Sequence, residues 1–196
     1  MSDRVKQPRL WLIAALSALV FGFAMALVKG TDGGLRGEIG NLSAPWLLVA
    51  FLPGTRVRGL LRGATIGLCS TMIALAGFYV GVALQTPSST LHEILRMNDF
   101  YFAAGLLSGP VLGTLGAAVG SYQRSLIGPV AALLMIGEWL VVWVLVNDFD
   151  GRTPWGFYWG PGADRFDWTP YTVQAALAAL LLAVVVLRRP RRISRG

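Results

Sequence analysis

The chain has 196 residues, 55% of them hydrophobic and only 14% charged, with a formal net charge of +7 and a mean hydropathy of +0.59. Soluble domains carry about 25% charged residues; here the deficit is gathered into long apolar runs that approach or exceed the roughly 20 residues spanning a bilayer core. The positive charge sits at the ends of those runs, which reads as membrane orientation and not as nucleic-acid binding.

Six apolar segments are predicted to be helices, at about 10–29, 40–54, 63–84, 100–120, 126–147 and 171–187. A basic segment, 1–9, precedes them and a basic tail, 188–196, follows. The expected fold is all-α: a polytopic membrane protein with one integral membrane domain over 1–196 and about six transmembrane helices in a compact bundle. The start, "MSDRVKQPRLWLIAALSALVFGFAMA", has the basic head and the Ala24-Met25-Ala26 end of a cleaved signal peptide. Its apolar stretch is longer than most signal cores and five spans follow, so a retained first helix is expected. The second segment is short, with Pro45 near its start and Pro53 near its end, where proline first is tolerated and then stops a helix. It either crosses with little tilt or enters partway, shielded by its neighbours. Cys69 lies alone in an apolar run and reads as a small buried hydrophobe.

With the N-terminus inside, the inner segments hold twelve Arg and Lys residues and the outer segments hold Lys29, Arg36, Arg96, Arg152 and Arg165. That asymmetry predicts both termini in the cytoplasm. Arginine far outnumbers lysine in a chain rich in Ala, Gly and Val, which points to a GC-rich bacterial genome and hence to the bacterial cytoplasmic membrane.

Small residues spaced by four let helix backbones approach in lipid. The first helix carries Ala14, Ala18 and Gly22 in that register; the fourth carries Gly105, Gly109 and Gly113, with Gly116 and Gly120 expected near the same face. Such faces serve packing within the bundle, or docking on a membrane-protein partner or a second copy. The first outer connection, "GTDGGLRGEIG", lacks the end of a phosphate loop and reads as a flexible link. The second contains Thr90-x-x-Glu93, a capping box, ahead of Leu91, Ile94 and Leu95, and predicts a short interfacial helix. His92 lacks the second histidine of a metalloprotease helix, Arg96 standing there, so neither metal nor cofactor is expected. The third outer connection is crowded with aromatics. Trp155, Tyr158, Trp159 and Trp168 are candidates for a lid, against the plainer reading of an interfacial aromatic belt.

The run "NLSAPWLLVAFLPG", Asn41 to Gly54, inside a six-helix chain with a basic tail resembles uncharacterised families of small bacterial integral membrane proteins; that likeness implies no activity. The helix count, the length and Ala14-x-x-x-Ala18-x-x-x-Gly22 are also similar to the substrate-binding S components of energy-coupling factor transporters. That resemblance implies that Ala14, Ala18 and Gly22 dock on a coupling subunit and that outer loops cover a ligand.

The most pointed residue is Glu138, in the middle of the apolar run "PVAALLMIGEWLVVWVLVN". Intramembrane acids face a bundle interior and mark solute or proton paths; the alternative is a carboxyl that bonds two helices together. Ser108, Thr71 and Gln174 are the polar partners expected at similar depth. The resulting expectation is a small-molecule-binding or transport subunit. The alternative is a structural or regulatory membrane protein that binds a partner protein and no solute. No nucleophile–base pair or metal cluster supports an enzyme.

Overall fold

The computed structural model describes residues 3–30, 35–148 and 167–187, and every regular element among them is helical. The helices are α1 (Asp3–Lys29), α2 (Leu35–Asn41), α3 (Ser43–Gly54), α4 (Leu60–Gln85), α5 (Leu91–Met97), α6 (Asp99–Tyr122), α7 (Ile127–Asp148) and α8 (Thr169–Leu187). A single 3-10 turn, Arg124–Leu126, leads into α7. Five of them (α1, α4, α6, α7 and α8) contain stretches long and apolar enough to cross a membrane. The chain divides into two compact units, 1–127 and 128–196.

In the first unit, glycine seams hold the helices. Gly22 of α1 lies against the backbone of Ala74 and Phe78 in α4, and Gly77 of α4 lies against the Leu19 carbonyl. Gly63 and Gly67 of α4 meet Gly109 and Gly113 of α6 backbone to backbone, so a side chain on Gly63, Gly67 or Gly113 would strike main-chain atoms, and one on Gly109 would crowd Leu68 and Thr71. The five glycines of α6 do not share one partner. Gly105, Gly109 and Gly113 face α4, whereas Gly116 and Gly120 receive the carbonyls of Phe51 and Thr55 at the end of α3. Cumulative offsets along a 3.6-residue turn spread them over an arc wide enough to serve two neighbours.

The second predicted segment differs most from expectation. It is two helices, broken at Leu42, whose ψ of 121° is not helical. Pro45 falls in the first turn of α3, where its missing N–H costs nothing. α3 has 12 residues, about 18 Å at 1.5 Å per residue, against a hydrocarbon core of about 30 Å. The chain nevertheless travels the length of α1. Gly40 sits against Lys29 at one end of that helix, and Val57 packs with Ala14, Leu10 and Trp11 near the other. The link expected to be flexible is, over residues 35–41, a helix with Glu38 and Gly40 buried.

Two apolar clusters make the core of this unit. One joins Ala26, Leu75, Phe78, Tyr79 and Ile94, the last anchoring α5; the other joins Ala14, Val57, Ile66 and Ala117. Edge-to-face contacts run from Phe21 through Trp46 and Phe78 to Tyr79, which stacks on Phe102. In the second unit, α8 buries Pro170, Tyr171, Gln174 and Ala178 along one face, and α7 buries Ala132, Glu138, Val142 and Val146.

Candidate functional site

Glu138 lies midway along α7, and Val142 and Val146 follow at four-residue steps on the same buried face. Gln174 lies one turn beyond Tyr171 on α8. The two side chains are 7% and 6% exposed. The Gln174 Nε2 donates to Glu138 Oε2 at 2.7 Å, and more weakly to the Met135 carbonyl at 3.4 Å. A carboxyl and a carboxamide are thus joined within two helices that are otherwise almost wholly apolar. One residue on from Glu138, the indole N–H of Trp139 is buried and has no acceptor among the described residues. An unsatisfied buried donor costs about 1–3 kcal/mol.

Of the partners expected for Glu138, Gln174 makes the bond. The Thr71 hydroxyl instead donates to Gly67 of its own helix at 2.9 Å, and Ser108 is half-buried on α6. Trp155, Tyr158 and Trp159 lie outside the described residues. Trp168 stands just before α8, half-buried, its carbonyl accepting from Thr172 at 2.9 Å. Beside it Asp167 accepts the Thr169 N–H at 2.9 Å; that bond, with a second from the Thr169 side chain, holds the Asp167 carboxyl below its usual range. Ala14, Ala18 and Gly22, the suggested docking face, are buried, and Gly22 is filled by α4. No group of three or more His, Cys, Asp or Glu residues able to share a metal occurs among the described residues.

A second polar cluster escaped the sequence reading. Lys29 ends α1 with its ammonium 5.8 Å from the centre of the Phe78 ring and within electrostatic reach of buried Glu38. Arg36 donates to the Leu27 and Val28 carbonyls at 2.9 and 3.2 Å, and Gln85 donates to the Ala26 carbonyl at 3.0 Å. The Arg36 bonds satisfy the Leu27 and Val28 carbonyls, which the end of α1 leaves without an intrahelical partner; the Ala26 carbonyl also accepts the Gly30 N–H at 3.0 Å. The cluster closes a helix terminus. Its only sequence signal was the alternation of Arg36 and Glu38 within a glycine-rich stretch.

Five apolar membrane-length helices and a buried polar pair define a multi-pass α-helical membrane protein. No protein-family model, no curated protein and no solved structure matches the chain.

Proposed function

We propose that this protein is a small-molecule-binding or transport subunit of a bacterial cytoplasmic membrane, and that the Glu138–Gln174 pair contacts a solute or carries a proton. The observation behind this reading is the pair itself: a buried carboxyl at the middle of one apolar helix, bonded to a carboxamide on the next. Such groups are costly in a bilayer and recur along solute and proton pathways. Together they offer carboxylate and amide oxygens as acceptors and an amide with two donors, with the Trp139 N–H as a further donor nearby in the chain. The aromatic connection that includes Trp155, Tyr158, Trp159 and Trp168 would cover an outward-facing site. Catalysis has no part in this reading.

The same reading has six crossings and both termini inside. Residues 40–57 return the chain from the Lys29 end of α1 to its Leu10 end, which supports counting α3 and its flanks as a crossing despite the short helix. With the five long helices this gives an even number, and the twelve-to-five split of Arg and Lys agrees with that parity.

One feature favours the alternative of a structural or regulatory protein that binds a partner and no solute: Glu138 and Gln174 already bond each other, as a helix-to-helix clamp would. A thermal-shift screen of the purified full-length protein against small water-soluble metabolites separates the two. Under the transport reading at least one solute stabilises the wild type, and Glu138→Gln folds normally but loses that shift. If no solute shifts the wild type, or Glu138→Gln keeps every shift while Glu138→Leu unfolds, the clamp is the role of the acid.

A further inference from the structure

An open groove runs between α1 and α3 within the first unit, with a volume of about 790 Å3. It exists because the two helices pack on α4 and α6 more closely than on each other. Gly22 seats α1 on α4, and Gly54 seats α3 on α6. Phe21, at one end of the groove, meets Trp46, while Leu10 and Trp11 pack at the other against the cluster that holds Val57. The walls are almost entirely apolar, formed by residues such as Ile13, Phe21, Leu48 and Leu52, with Ser17 on the α1 side. The one charged lining residue is Arg56, at the Leu10 end.

That end is strongly cationic. Arg9 adjoins Leu10, Arg58 follows Val57, and Arg62 lies one turn before Ile66; all three are exposed, as is Arg56. No Asp or Glu occurs in residues 8–17 or 53–66, and Arg56 has no ion-pair partner among the described residues. The groove therefore combines an alkyl-lined trough with a charged lining residue, Arg56, at one end. A protein helix with side chains is about 10–12 Å across, so the volume would hold only roughly five or six helical residues. It falls instead in the range of pockets that take a small molecule, roughly 300–1,000 Å3.

We infer that the α1–α3 groove binds an anionic phospholipid, with an acyl chain along the apolar walls and the phosphate at Arg56. This site is independent of the Glu138–Gln174 pair and stands or falls without it. Basic residues near a membrane surface attract anionic lipid, and the groove adds a place for the chain that a surface arginine alone lacks.

The test is native mass spectrometry of the purified full-length protein titrated with phosphatidylglycerol, and with phosphatidylcholine bearing the same acyl chains. Wild type is expected to take up phosphatidylglycerol preferentially. Arg56→Gln should weaken that binding about fivefold, while Arg124→Gln, an exposed arginine outside the groove, should leave it unchanged. Filling the groove from its exposed rim with Ser17→Trp or Leu52→Trp should weaken it further with Arg56 intact. The inference is overturned if phosphatidylcholine binds as well as phosphatidylglycerol, or if Arg56→Gln behaves like Arg124→Gln. It is equally overturned if folded Ser17→Trp and Leu52→Trp both keep wild-type affinity. Displacement of the lipid by millimolar inorganic phosphate would assign the site to free phosphate instead. The Arg56 comparison involves an exposed side chain and decides the matter even if the tryptophan variants do not fold.

Discussion

The carboxamide of Gln174 donates to the carboxyl of Glu138 across 2.7 Å, with both side chains buried. Thirty-six residues apart in the chain, they make a polar tie between two largely apolar helices, with the Met135 carbonyl as a weaker second acceptor for Gln174. Polar side-chain bonds between membrane helices average about 0.6 kcal/mol in double-mutant cycles, with a maximum near 1.7. A cycle of Glu138→Leu, Gln174→Leu and the double variant, followed by unfolding in detergent, should give a coupling energy of about 0.6–1.7 kcal/mol. Strictly additive effects would mean that the bond contributes nothing to holding α7 against α8.

Gly113 and Gly137 should respond oppositely to a small added side chain. A Cβ on Gly113 would strike the Gly63 carbonyl, whereas a Cβ on Gly137 meets nothing within 4 Å among the described residues. Gly113→Val should cost upwards of ~1–3 kcal/mol, the usual range for overpacking, because backbone cannot swing aside as a flexible side chain can. Gly137→Ala should be neutral or stabilising by up to ~1 kcal/mol, from helix propensity. Thermal midpoints of the two variants in the same detergent provide the comparison. Equal midpoints would contradict the backbone-to-backbone seam between α4 and α6.

The capping box of α5 makes its start sensitive to acid. The Thr90 backbone N–H and hydroxyl both donate to Glu93, at 2.8 and 2.9 Å, and the Glu93 N–H returns a bond to the Thr90 oxygen. The backbone bond foremost, and the hydroxyl bond after it, hold the Glu93 carboxyl below its ordinary value of 4.5. A carboxyl lowered on folding favours the helix in its ionised form. That contribution is fully present above the ordinary value and fades as pH falls through the lower folded one. Hydrogen-exchange protection in residues 90–97, taken relative to the intrinsic exchange rate, should therefore fall as pH drops below that ordinary value, with Glu93→Ala removing the decline. An acid response unchanged in Glu93→Ala would place its origin elsewhere.

Topology gives a parity test. If residues 40–57 cross the membrane, an alkaline phosphatase fused after Arg192 is inactive and one inserted near Gly160 is active. Without α3 and with the N-terminus inside, the five remaining helices would give the reverse pattern, a silent Gly160 insertion and an active tail fusion, and that result would remove α3 from the count. A third reporter at the N-terminus separates it from six crossings in the inverted orientation, which would place the N-terminus outside; activity at both original sites would mean that α8 does not cross.

The sequence by itself determined the class of this protein. Apolar runs of membrane length are a one-dimensional signal, because a helix crossing lipid must satisfy its own backbone and present apolar side chains over its whole length. Five long helices followed from that, as did the Thr90–Glu93 cap, whose partners lie three residues apart. Gln174 could be named beside Ser108 and Thr71 as a partner for Glu138, since depth is readable from position along a span. Rotation about a helix axis is not readable in that way when a helix is apolar all round. Only the tertiary structure could therefore choose Gln174, divide the α6 glycines between α4 and α3, and turn α1 away from α3 to leave a groove ending at Arg56. The glycine-rich stretch before α3 failed as a sequence signal for the same reason. Its helix is held by Lys29, Arg36 and the end of α1, contacts that exist only once the chain has folded back on itself.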